Sequence, residues 1–226
     1  MVSVVLTELE GVIAETRPLR RVALGCAVRE EGAALDDAAL DELAALPVAA
    51  AVRAALARAG HAVDETAADL AALRAERHFA ERAGRGLSLA AGAREFVEGA
   101  QARARLAVVT RASRREAELV LGLAGLDAAF ECVVAAEDVS APKPDGEGYE
   151  RALARLARRR PVARGTTVAL EDGAVGIRAA RAARLRVVAV GAVPAHDALA
   201  ADASLPSLAG QDVAALDALV AAEGVR

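Results

Sequence analysis

Five runs rich in Val and Leu recur along this chain, and several end in polar or acidic residues: VSVVLTELE, ARLAVVTR, CVVAAED, TTVALED and RVVAVG, with ASLPSL a weaker sixth. A short apolar run of this kind suits a strand buried on both faces. Between the runs, residues 92–101, 113–124, 146–158, 174–184 and 212–222 carry apolar positions at helical spacing. Strands alternating with helices join through right-handed crossovers into a parallel sheet covered on both faces. The expected class is therefore α/β. Ligands of such sheets bind at the carboxyl ends of the strands, where Glu8, Glu10, Thr110, Glu137, Asp138, Glu171 and Asp172 fall.

Residues 17–88 break this alternation. No comparable apolar strand occurs there, and Ala, Leu and Arg dominate with helical periodicity, which predicts helices near 37–45, 47–59 and 65–83. Pro47 suits the first turn of the second of these and Gly60 its stop. The expected organisation is a core of residues 1–16 and 89–226 with a helical insert of residues 17–88.

Composition narrows the function classes. A formal charge of -4, no Trp, one Tyr and three Phe leave neither a basic footprint nor stacking platforms for nucleic acid. Cys26 and Cys132 sit among small apolar residues, as reduced thiols do, so a cytoplasmic setting is expected. MVSVVLTELE lacks the charged start of a signal peptide, and no apolar run approaches the roughly 20 residues that span a bilayer. Neither export nor membrane insertion is expected.

The strand ends carry the chemistry. Glu8 and Glu10 flank Leu9 before Gly11, Thr110 ends ARLAVVT, Lys143 lies in APKPDGEGY, and Glu171 and Asp172 end TTVALED. Clustered carboxylates beside one lysine and one hydroxyl suit a Mg2+-dependent phosphoryl site, since a hard cation takes oxygen ligands and the lysine and hydroxyl hold developing negative charge. Taken singly, each has a blander reading: an acid at a strand end caps a helix, Thr110 caps the helix starting near Ser113, and Lys143 is a surface lysine.

In order along the chain, these motifs resemble the haloacid dehalogenase superfamily, in the helical-cap branch of phosphoglycolate phosphatase-like and beta-phosphoglucomutase-like proteins. VVLTELEGVIAETRPL is similar to the first motif of that family, RLAVVTRAS to the second, APKPDGEGYERAL to the third and VALEDGAVGIRAARAA to the fourth. The resemblance implies a Rossmann-like core with an inserted helical cap and a Mg2+-dependent phosphatase acting on a small phosphorylated metabolite. Glu8 takes the place of the nucleophile and Glu10 that of the general acid/base. Thr110 and Lys143 match the phosphate-binding positions, and Glu8, Glu10, Glu171 and Asp172 match the metal site. In the family the second acid of the first motif also offers its backbone carbonyl to the metal.

The first motif departs from the family in one respect: three expected aspartates are Glu8, Glu10 and Glu15. An added methylene moves a carboxylate by up to about 1.5 Å, and a misplacement near 1 Å costs on the order of a hundredfold in rate. Two readings follow, a slowed phosphatase and a catalytically silent binding or regulatory protein. Further on, Gly173 stands for a common serine, Gly146 for a proline and Arg184 for a frequent glycine.

Overall fold

The computed structural model describes residues 1–62, 64–198 and 200–222. Its contacts divide the chain into two compact units, residues 1–15 with 89–226, and residues 16–88. In the first unit six strands form one parallel sheet: β1 (Val4–Thr7), β2 (Arg105–Val109), β3 (Cys132–Val134), β4 (Thr167–Glu171), β5 (Arg186–Val190) and β6 (Ala203–Leu205). The order β3-β2-β1-β4-β5-β6 puts β1 at the centre and reverses the direction of chain progression between β1 and β4. That reversal opens the crevice in which sheets of this kind bind ligands. All six strands coincide with the six apolar runs.

Alternation along β1 sends Val4 and Leu6 to one face and Val5 and Thr7 to the other, and all four are buried. Before the helices of this unit, four belong to the other: α1 (Arg17–Glu30), α2 (Asp37–Leu43), α3 (Val48–Arg58) and α4 (Glu65–Arg85). The sheet unit continues with α5 (Ala93–Ala100), α6 (Arg114–Ala124), α7 (Glu147–Ala157), α8 (Ala174–Ala182), α9 (Ala195–Ala198) and α10 (Val213–Ala222). Leu6, Val109, Tyr149, Leu156, Ile177 and Val187 share one core beneath α7 and α8.

Within residues 16–88, α1 packs on α4, α3 on α4, and α1 on α2. Leu24, Val28, Leu40, Val52, Leu56 and Ala71 form the core of this unit. Asp36 and Asp64 cap α2 and α4 by accepting from the N–H groups of Ala39 at 2.8 Å and Ala67 at 3.0 Å. Helix α1 is absent from the sequence expectation. Its Pro18 stands in the first turn, where proline is tolerated, and Arg20, Arg21, Arg29 and Gly25 interrupt the apolar stripe that would announce it. His78 of α4 bonds Glu30 of α1 through Nε2 at 2.6 Å. No described helix is long and apolar enough to cross a membrane.

Candidate active site

Sheet register assembles the candidate residues. Thr7 pairs with Val108 on one side and Leu170 on the other, so the residues that follow, Glu8, Val109 and Glu171, emerge side by side at the strand ends. The ladder extends one step further where the Glu8 N–H donates to Leu170 O at 2.9 Å and the Thr110 N–H to Val134 O at 2.9 Å.

Lys143 enters from the loop before α7. Its ammonium donates to Glu8 Oε2 at 2.7 Å, to Glu171 Oε1 at 2.5 Å and to the main-chain oxygen of Val109 at 2.8 Å. Glu8 Oε1 accepts from the N–H of Leu9 at 2.7 Å, and the Thr110 hydroxyl, which accepts from the Ala112 N–H at 3.1 Å, helps to lower the same carboxyl. The loop is pinned by Glu147, whose Oε2 accepts from the N–H groups of Ser140 at 2.9 Å and Ala141 at 2.7 Å. Side-chain exposure is 5% for Lys143, 6% for Glu8 and 1% for Glu171. An isolated charge at this depth costs several kcal/mol, about the amount that pairing and hydrogen bonds must return.

Two carboxylates face one ammonium here, and their titrations split accordingly. Burial opposes ionisation of Glu8, but Lys143, with help from Thr110 and the Leu9 N–H, more than offsets it and holds the carboxyl below its ordinary value. Burial pushes Glu171 up to about 7, with the Glu8 charge adding to the rise and Lys143 opposing it. For Lys143, burial disfavours the ammonium, yet Glu171 and Glu8 together raise it above its ordinary value. At neutral pH the group therefore holds a firm Glu8–Lys143 ion pair beside a Glu171 close to its own midpoint.

Tyr149 is the member that the sequence reading missed. It is fully buried in α7, its hydroxyl bonds Glu171 Oε1, and its ring lies 5.3 Å from Lys143 Nζ. Burial and the neighbouring Glu171 charge keep its phenol well above the ordinary value, so it remains a donor. The available signal was modest: it is the only tyrosine of the chain, six residues after Lys143.

Glu10 and Asp172 occupy the turn beside this group. Glu10 is half-buried and forms a bridge with Ala14. Gly11 follows in the left-handed region with φ +68, and a Cβ there would stand 2.7 Å from Asp172 Oδ2. The half-buried Asp172 carboxylate thus lies against the backbone of the first motif. Among the described residues no three of His, Cys, Asp or Glu converge as a ready metal shell. Mg2+ does not require one, because it is held by one or two carboxylates with water and phosphate oxygens completing its octahedron. The all-oxygen donors of this turn fit such an ion.

Comparison with known proteins assigns the chain to a family. The model of the family described as haloacid dehalogenase-like hydrolase matches residues 5–190. The chain belongs to that family. It is 32% identical over 200 residues to validoxylamine A 7'-phosphate phosphatase of Streptomyces hygroscopicus subsp. limoneus, covering 88% of this chain and 89% of that protein. Among solved structures it is similar to CbbY of Rhodobacter sphaeroides in complex with phosphate, with TM-score 0.81, 26% identity and coverage of 96% and 100%. A CbbY mutant was solved in complex with xylulose-(1,5)bisphosphate. Beta-phosphoglucomutase of Clostridium difficile, at 16% identity and TM-score 0.85 over the whole of both chains, shares the fold. In this six-stranded fold the first, second and fourth motifs lie at the ends of β1, β2 and β4, and the third lies in the loop before α7.

Proposed function

We propose that the protein is a Mg2+-dependent phosphatase whose substrate is a small phosphorylated metabolite, a phosphate monoester of a sugar or sugar-like polyol. The observation that carries this reading is the Lys143 ammonium 2.7 Å from Glu8 Oε2, with Thr110 at the end of the adjacent strand β2. Nucleophile, cation and hydroxyl are grouped as phosphoryl transfer requires. The substrate class draws support from the relatives, one named for a 7'-phosphate and another solved with phosphate and a sugar bisphosphate.

A Glu8 oxygen attacks phosphorus as the bond to the leaving oxygen breaks, and protonated Glu10 gives that oxygen its proton. Water then attacks the acyl phosphate on Glu8 and loses a proton to Glu10. The phosphorus–Glu8 bond breaks, which frees phosphate and restores the carboxylate. Thr110 and Lys143 hold the phosphoryl oxygens throughout. Glu8, the Glu10 main-chain oxygen, Glu171 and Asp172 would hold Mg2+, whose charge would neutralise that of the transferring group.

One feature favours a second reading, a catalytically silent binding or regulatory protein. Both Glu8 oxygens are already engaged, one by Lys143 and one by the N–H of its own neighbour Leu9. Hydrolysis of an aryl phosphate and of a sugar monophosphate panel, with and without Mg2+, separates the two. The enzyme reading expects activity that Glu8→Gln abolishes. Silence in the natural protein, with activity gained by Glu8→Asp combined with Glu10→Asp, makes the second reading the correct one.

A further inference from the structure

The amino ends of the strands carry a charge pattern that phosphoryl transfer does not use. In a parallel sheet every strand starts at the same end, so the connections entering β1, β2, β4 and β5, the four central strands, lie together. These connections, residues 1–3, 101–104, 158–166 and 183–185, hold six arginines and no acid, although the chain as a whole has a net charge of -4. Hydrogen bonds tie them to one another. The Arg105 guanidinium donates to Leu156 O at 2.7 Å and to Arg160 O at 3.1 Å, Arg164 donates to Ala183 O at 2.6 Å, and the Ser3 hydroxyl bonds that of Thr166 at 2.7 Å. Arg103, Arg158, Arg160, Arg184 and, at the start of β5, Arg186 are exposed, and their side chains have no hydrogen bond or ion pair among the described residues. Helices α5, α7 and α8 end here, each with about half an elementary charge of opposite sign, together less than about two of these five charges. Of the acids before the edge strands, Glu131 is held by Arg105 and Asp202 by Arg181.

We infer that this face is a docking surface for a carboxylate-rich segment of a partner protein. Guanidiniums gathered on one face repel one another and attract a polyanion. Anionic partners differ in what else they need. Single-stranded nucleic acid stacks its bases on exposed aromatic rings, whereas Tyr149, Phe79, Phe96 and Phe130, the whole aromatic complement of the chain, are buried. A lipid surface takes up apolar area as well as charge, and Met1 is the one exposed large apolar residue of the four connections. A carboxylate-rich segment needs the guanidinium fork alone, since its planar donors meet both carboxylate oxygens. Arg105 already makes that pairing at this end of the sheet: its Nε and Nη2 donate to the two oxygens of Glu131 at 2.7 and 2.8 Å. The face lies at the strand ends opposite Glu8, Thr110 and Glu171, so a segment docked there leaves the candidate active site uncovered.

Fluorescence anisotropy of a labelled oligoglutamate peptide tests this on the natural protein and on two triple variants of equal net charge. Arg103→Ser, Arg160→Ser and Arg186→Ser together strip the face, whereas Arg17→Ser, Arg85→Ser and Arg178→Ser together remove exposed arginines from elsewhere. The natural protein and the second variant should bind the peptide alike, and the first should bind it roughly tenfold or more weakly, as the loss of three surface ion pairs allows. Raising the salt from about 0.03 M to about 0.3 M should release the peptide. Circular dichroism checks folding. Should the first variant fail to fold, Arg103→Ser and Arg186→Ser are read singly, each expected to weaken the peptide about twofold. Equal weakening in both triple variants, or no binding by the natural protein, overturns the inference. Tighter binding of polyuridylate, duplex DNA or phosphatidylserine vesicles than of the peptide, lost with Arg103, Arg160 and Arg186, overturns it too, because the face then serves a phosphate surface. None of these measurements requires turnover, so a catalytically silent protein tests the inference equally well.

Discussion

The carboxylate of Glu171 fills the space that a side chain at Gly176 would need. The two are neighbours across the β4–α8 turn, and the absence of a Cβ at Gly176 lets a long acid remain buried at a strand end. Gly176→Ala is expected to displace Glu171 and loosen Lys143. It should lower stability by about 1–3 kcal/mol and reduce phosphate turnover. Gly122, in α6 with nothing within 4 Å of an added Cβ, is the control: Gly122→Ala should stabilise by about 0.5–1 kcal/mol. Denaturant titration of both variants checks the contrast.

Lys143 separates two buried carboxylates. Lys143→Met leaves Glu8 and Glu171 uncompensated, and removal of one partner from a buried ion group costs about 3–5 kcal/mol. Adding Glu171→Gln takes away one of the stranded charges, so the double variant should be more stable than Lys143→Met alone. A double-mutant cycle in urea measures this coupling.

Two departures from the family pattern, Gly146 and Arg184, meet in the structure. A Cβ at Gly146 would stand 2.8 Å from the main-chain N of Ala183, at the end of α8. Arg184, the next residue along, holds φ +57, with its N–H on Arg181 O at 2.8 Å and that of Leu185 on Ala180 O at 3.0 Å. This is a Schellman ending with arginine where glycine is usual. Arg184→Gly relieves a left-handed non-glycine residue and should stabilise by about 1 kcal/mol. Gly146→Ala crowds the same turn and should destabilise. Thermal melts of the two variants are expected to move in opposite directions.

Much of this arrangement was legible in the sequence, and the physical reason is periodicity. Parallel strands buried on both faces announce themselves as apolar runs, so all six strands and the acids at their ends could be placed. Helix α1 could not, since its arginines and Gly25 interrupt the stripe that marks an amphipathic helix. Glu8, Thr110 and Glu171 converge because strand ends converge, whatever their distance along the chain, and Lys143 joins them from the loop before α7. Tyr149 was hidden because a buried aromatic in an amphipathic helix looks the same whether its hydroxyl is used or not. The contact between Gly146 and Ala183 is likewise invisible, since only tertiary packing brings those backbones together.

Asp138 anchors the turn after β3. Its carboxylate accepts from Arg155 at 2.5 Å and from the N–H of Ala135 at 2.8 Å, and it also pairs with Arg114. Burial opposes its ionisation, but Arg155, the Ala135 N–H and Arg114 together hold the carboxyl below its ordinary value of 3.8. A depressed carboxyl adds stability that is complete above the unfolded-state value and disappears as pH falls through the folded-state value. Asp138→Asn should therefore cost about 1–3 kcal/mol at pH 7, and the gap to the natural protein should close below about pH 4. Urea midpoints for both proteins across that range test the sign.

Thr7 sits in the central strand with its hydroxyl buried and without a partner among the described residues. Alternation directs it to the face opposite Leu6, away from the Glu8–Lys143 group. A buried donor left unpaired costs about 1–3 kcal/mol, and its removal in a side chain of the same shape recovers that cost. Thr7→Val should raise stability by about 1 kcal/mol, with β-branching and strand preference retained. Because the change lies on the far face, aryl phosphate turnover should be unaltered. An unchanged or lowered urea midpoint would mean that the hydroxyl has found a partner, a buried water being the natural one.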